Sequence, residues 1–70
     1  MTFTVELEQE SESDGRWIGE VPQLPGTLVY GGSPEEATAR AKALALRVLA
    51  DRLEHGEADS ALDDITFAAA

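Results

Sequence analysis

A helix start in the middle of the chain constrains the fold more than any other feature. Ser33-Pro34-Glu35-Glu36 places a hydroxyl at the N-cap, a proline at the first helical position and a glutamate at the third, which is a capping-box pattern. Helix-forming residues then continue to His55, and Gly56 fits the position that follows a helix end. A chain of 70 residues with one such helix has room for a single domain, residues 1–70.

Strand-like segments lie on both sides of this helix. Phe3, Val5 and Leu7 alternate with polar residues, which is the period-two pattern of a half-buried strand. Turn signals at Asp14-Gly15 and Pro25-Gly26, the second typical of a type II turn, separate the next segments. The further predicted strands are residues 16–21, 27–30 and 64–67. The order β-β-β-α-β predicts an α+β fold in which one helix packs on one face of a sheet.

The apolar pattern exceeds what one sheet–helix contact can bury. At about 100° per residue the helix carries two apolar stripes on nearly opposite sides: Ala37, Ala41, Leu44, Ala45 and Val48 in the first, Leu46, Leu49, Ala50 and Leu53 in the second. Trp17 and Ile18 likewise point to opposite faces of their strand. This excess predicts association, with a second copy or with another protein. The alternative is that the C-terminal segment covers Leu53 and Ile18.

The charge of the chain narrows the class of partner. Five Lys and Arg against fourteen Asp and Glu give a formal net charge of −9. Such a surface repels nucleic acid and anionic lipid and attracts basic proteins, although many acidic proteins have no basic partner. The N-terminus lacks a signal-peptide pattern, and residues 41–50 form an apolar stretch too short to span a bilayer. Cysteine is absent, which excludes disulfides and fits a cytoplasmic location.

Residue patterns that carry catalysis are weak. His55 is the only histidine, and its position near the helix end is explained by the helix dipole. The acidic residues of the first strand and its turn are predicted to face solvent, without the apolar surroundings or the metal that acid–base catalysis requires. Gly31-Gly32-Ser33 precedes a helix, as in phosphate-binding loops, but the P-loop lysine is missing. The sequence therefore predicts no enzyme, no catalytic residue, no cofactor and no metal site.

Two segments resemble the HicB family of antitoxins. The first runs Asp14-Gly15-Arg16-Trp17-Ile18-Gly19-Glu20-Val21-Pro22-Gln23-Leu24-Pro25-Gly26, and the second runs Gly31-Gly32-Ser33-Pro34-Glu35-Glu36-Ala37. The family typically shows an acidic-Gly turn, an aromatic residue in the second strand, Pro-x-Leu-Pro-Gly, and a capped helix that opens with Glu-Ala. The resemblance covers about residues 2–53, and it rests on the order and spacing of these elements together.

The resemblance implies a degenerate ribonuclease H-like fold that lacks the catalytic carboxylates. It implies an antitoxin-type module that neutralises a HicA-like toxin, a small basic mRNA-cleaving ribonuclease, and the acidic charge agrees with such a partner. Family members usually add a C-terminal DNA-binding domain, which we do not expect here, so direct nucleic-acid binding is not predicted. The predicted partner-binding residues come from the first hairpin and the second helix stripe: Glu8, Glu10, Glu12, Asp14, Trp17, Ile18, Leu46, Leu49 and Leu53.

The sequence also allows two other functions. A stand-alone oligomeric scaffold or small-ligand regulator without a toxin would show the same acidic, two-sided pattern. Residual ribonuclease activity follows only from the fold analogy, and the solvent-exposed carboxylates disfavour it. In each binding interpretation the two apolar stripes predict a homo-oligomer.

Overall fold

The computed structural model describes residues 1–10, 15–57 and 64–70. Its element order is β-β-β-α-β, as the sequence predicts. The elements are β1 (Thr2–Gln9), β2 (Trp17–Glu20), β3 (Leu28–Gly31), α1 (Pro34–Glu54) and β4 (Thr66–Ala69). The fold is thus a small α+β arrangement in which one helix packs on one face of a sheet.

The four strands form one mixed sheet in the order β3-β2-β1-β4. The first three strands are antiparallel neighbours, whereas β4 runs parallel to β1 and pairs Thr2 with Thr66. Both β3 and β4 are therefore edge strands. The helix connects these two edges and contacts β1, β2 and β3 more extensively than β4.

The fourth strand begins two residues later than the predicted segment 64–67. Its bounds are set by β1, because the Thr66 N–H donates to Met1 O and the Ala70 N–H donates to Val5 O, both at 3.0 Å. The pairing between β1 and β4 continues through Ala68 and Ala69. It places Phe67 on the same side of the sheet as Phe3, and the two rings lie 6.0 Å apart between centroids.

The turn between β2 and β3 is the predicted type II turn. Gly26 has φ +87°, and the Thr27 N–H donates to Leu24 O at 3.2 Å. Thr27 itself is buried, and its hydroxyl lies within hydrogen-bond distance of the carbonyl oxygens of Val21 and Leu24. The turn is thus anchored from inside by a satisfied polar side chain.

The helix begins and ends where its capping residues predict. Ser33 Oγ accepts the Glu36 N–H at 3.1 Å, while Glu36 Oε1 accepts the Gly32 N–H at 2.9 Å, so the reciprocal bond reaches one residue before the N-cap. His55 is the C-cap, and Gly56 follows in the left-handed region with φ +69°. Glu36 and Arg40, one turn apart on α1, form an ion pair with 3.4 Å between carboxylate and guanidinium.

Small residues bring the helix close to the sheet. Ala37 is fully buried, and it packs where Gly19 and Gly31 leave no side chain between helix and sheet. From there the core follows a line of positions four residues apart: Ala37, Ala41, Ala45 and Leu49. Each step of four residues moves the side chain by about 40° around the helix axis. Over the three steps, the line of core residues therefore turns by roughly a third of the helix circumference.

This rotation corrects one sequence-based assignment. Leu49, predicted to lie on the uncovered stripe, is only 2% exposed and belongs to the core with Phe3, Val5, Val21 and Leu24. A stripe drawn parallel to the helix axis misplaces it, because the sheet-facing side drifts toward Leu49 at this end of α1. The other two leucines of that stripe do face solvent, with Leu46 48% and Leu53 54% exposed.

Candidate partner-binding surfaces

No described helix or strand packs on the side of the sheet opposite α1, which is called the outer sheet face below. Alternation along the strands assigns Ile18, Leu28 and Tyr30 to this side, since Gly19 and Gly31 face the helix. Leu28 and Tyr30 are close to half exposed. These three side chains form an apolar centre on β2 and β3.

Three glutamates lie beside this apolar centre. The register places Glu6 of β1 opposite Glu20 of β2, and Glu8 opposite Ile18. All three carboxylates are exposed, and with Ile18 they line a shallow depression of about 230 Å³. Like charges directly opposite each other in a sheet are unfavourable, so a cationic group placed between Glu6 and Glu20 would relieve their repulsion.

One arginine lies on the same side of the sheet. Arg16 pairs with Glu10, with 3.2 Å between guanidinium and carboxylate, and its guanidinium lies 4.8 Å from the centroid of the Tyr30 ring. These contacts hold Arg16 at one end of the outer sheet face. The negative potential is therefore concentrated at the Glu6, Glu8 and Glu20 end.

The structure brings together only some of the predicted partner-binding residues. Glu8, Glu10 and Ile18 share the outer sheet face, whereas Trp17 is half-buried on the helix side of β2, opposite Gly31. Leu46 and Leu53 lie on the solvent side of α1, away from this face. Leu49 lies in the core, as described above, and Glu12 and Asp14 lie outside the described residues.

The predicted set lacks several residues of the outer sheet face, among them Glu6, Glu20, Leu28 and Tyr30. The strand register is the information that joins them, because Glu20 pairs with both Glu6 and Leu28. A sequence signal for two of them was present. Leu28 and Tyr30 alternate with the half-buried Val29, which packs against the core.

On the helix side, a groove runs between α1 and the β1–β4 pair. Leu7, Thr38 and Lys42 line both ends of this groove. One end extends under the first turns of α1 and is open, with a volume of about 500 Å³, while the other end, about 80 Å³, reaches Val5, Phe67 and Ala69. The groove exists because the helix lies toward β3 and leaves the β4 side of the sheet uncovered.

The described residues offer no group of three His, Asp or Glu side chains placed to hold a metal ion. His55 caps the helix, and its Nδ1 lies 2.7 Å from Asp51 O and 3.3 Å from Asp51 Oδ1. Its position therefore matches the terminal role that the sequence indicates.

Comparison with protein-family models, curated proteins and solved structures finds no match to this chain. Within the ranges that the structure describes, no helix combines the length and apolar character needed to cross a membrane.

Proposed function

We propose that this chain is a protein-binding module that neutralises a small basic protein of the HicA toxin type. The observation that carries the proposal is the outer sheet face, where Glu6, Glu8 and Glu20 adjoin the apolar centre of Ile18 and Tyr30. An apolar centre with charged residues at its rim is the usual anatomy of a protein interface. The net charge of −9 would steer a basic partner toward it.

The fold and location that go with this role are also proposals. The β-β-β-α-β order and the mixed sheet support a degenerate ribonuclease H-like domain that acts by binding and not by catalysis. The absence of cysteine supports a cytoplasmic location. The solvent-exposed leucines of α1 and the open edge of the sheet support self-association.

The test is co-expression with a HicA-like toxin encoded beside the gene, followed by affinity measurement of the purified pair at low and high salt. The triple variant Glu6→Gln/Glu8→Gln/Glu20→Gln should weaken binding by about tenfold, if each charge contributes about 0.5 kcal/mol. It should also reduce the loss of affinity with salt, because fewer charges remain to be screened.

A matched control has the same net charge as this triple variant but loses its three carboxylates at other positions. Glu35→Gln/Glu54→Gln/Glu57→Gln removes three exposed carboxylates on α1 and just after it. This control should bind almost as the original chain does. Equal weakening in both variants would mean that only the overall charge matters, and failure of the pair to associate at low salt would refute the proposal.

The second candidate is a stand-alone regulator that takes a small apolar ligand. The observation that favours it is the helix-side groove lined by Leu7 and Lys42. A fatty-acid probe would distinguish the two. Saturable binding that is lost in Leu7→Asp, without any complex with a basic toxin, would support the regulator.

A further inference from the structure

The free edge of β4 is equipped for pairing with another strand. Because the N–H groups of Thr66 and Ala70 bond to β1, the alternation of a parallel ladder directs the N–H and C=O groups of Phe67 and Ala69 away from β1. No described residue pairs with this edge. Unpaired strand edges of this kind are templates for adding a further strand.

The two edge strands differ in how well they are protected against pairing with a further strand. At β3 the Arg40 guanidinium donates to Tyr30 O at 2.8 Å, and its ion pair with Glu36 holds it there. A charged side chain placed on an edge carbonyl blocks strand addition. Residues 65–70 contain neither a charged side chain nor a proline. Among the described residues, the edge of β4 is therefore protected only by the shortness of the strand and by Lys42, whose ammonium lies 6.0 Å from the centroid of the Phe67 ring.

We infer that β4 pairs antiparallel with β4 of a second copy, around a twofold axis through Ala68. This register sets Phe67 of one copy opposite Ala69 of the other, so that the outward N–H and C=O groups of both residues bond across the axis. Phe67 and Ala69 lie on the helix side of the sheet. Each alanine therefore leaves space beside a phenylalanine from the second copy.

The end of the groove that reaches Ala69 supports a second copy as the occupant. This end has a volume of about 80 Å³ and is lined by Val5, Leu7 and Ala69. Phe67 of the second copy, next to Ala69 in the paired register, would lie at its mouth. The charge distribution agrees, because two chains of net charge −9 would meet at a segment without charged side chains.

The inference gives the proposed self-association a definite surface and does not depend on the proposed toxin binding. The test is a charge exchange at the axis, where the two Ala68 side chains would face each other. Ala68→Asp alone and Ala68→Lys alone should each weaken dimerisation by about fivefold, while their mixture should restore the dimer. Sedimentation equilibrium at several concentrations measures all three.

A second variant acts on the backbone. Ala69→Pro removes an outward N–H but no bond to β1, and proline is tolerated on the free side of an edge strand. It should weaken dimerisation by at least about tenfold, because two symmetry-related bonds are lost. Circular dichroism should remain that of the original chain.

Ala43→Lys on the solvent side of α1 is the matched control for added positive charge, and it should leave the dimer unchanged. A chain that stays monomeric at millimolar concentration, or Ala68 variants that dimerise like the original chain, would overturn the inference. Loss of the dimer in Leu46→Asp but not in Ala69→Pro would overturn it in favour of the helix face. Toxin binding by monomeric Ala69→Pro would show that toxin binding does not require dimerisation through β4.

Discussion

Replacing Gly31 by alanine tests how closely α1 must approach the sheet. A Cβ atom at this position would lie 2.5 Å from the backbone N of Ala37 and 2.9 Å from its Cα. Favourable heavy-atom contacts begin at about 3.5 Å, so the helix would have to move outward by roughly 1 Å. Both atoms belong to the backbone, and a side-chain rotation cannot relieve the clash.

The expected cost follows from this displacement. Moving the helix loosens the packing of Ala41 and Ala45 as well, and overpacking of this kind costs about 1–3 kcal/mol. We expect the upper half of that range, because the backbone of Ala37 lies against both Gly19 and Gly31 and has no room to move toward either strand. A domain of this size has a free energy of unfolding of only about 4–10 kcal/mol, so the loss would be easily measured.

The assay is urea unfolding followed by Trp17 fluorescence and far-UV circular dichroism. With a slope of about 1 kcal/mol per molar urea, the Gly31→Ala midpoint should fall by about 2 M. Gly32→Ala is the control, since the nearest atom to its added Cβ is Glu36 Oε1 at 3.9 Å. It should change the free energy of unfolding by no more than about 0.5 kcal/mol. Equal stability of the two variants would refute the close-approach argument.

Two further substitutions test the core and the turn. Leu49→Ala should cost about 2–5 kcal/mol in urea unfolding because the side chain is buried, whereas Leu46→Ala should cost less than about 1 kcal/mol; similar costs would contradict the assignment of Leu49 to the core. Thr27→Val should lower stability by about 1 kcal/mol, since the hydroxyl hydrogen bond to Val21 O or Leu24 O is lost while both oxygens keep a backbone N–H donor. Thr27→Ser keeps the hydroxyl donor, so thermal unfolding of the two variants separates the hydroxyl from the methyl; a valine variant as stable as the original chain would show that the hydroxyl contributes nothing.

The helix could be predicted from sequence because its signals are local. Ser33, Pro34 and Gly56 act within one turn of the helix ends, so no knowledge of the rest of the fold is needed. The β4 bounds could not be found in the same way. They depend on hydrogen bonds to Met1 and Val5, more than sixty residues earlier in the chain, and no local pattern encodes that register.

The candidate binding surface also could be predicted only in part, because its residues are brought together by strand register. Glu8 and Ile18 were identified from composition and alternation, but Glu6 and Glu20 become neighbours only through the β1–β2 register. Leu49 was misplaced because helical periodicity gives the angle between residues and not the direction in which the sheet crosses the helix. Sequence reasoning therefore suggests residue types for a binding surface, while tertiary pairing decides which of them lie together.

The position of α1 on one side of the sheet has a consequence for assembly. Edge-to-edge pairing through β4 would extend a single sheet across two copies, and both outer sheet faces would then lie on the same side. A partner that carries two basic patches, or two linked partners, could engage both faces at once. The second contact would form at the high effective concentration set by the first, so avidity would multiply a weak single affinity. In the proposed toxin-neutralising role, inhibition would then depend steeply on the concentration of the chain.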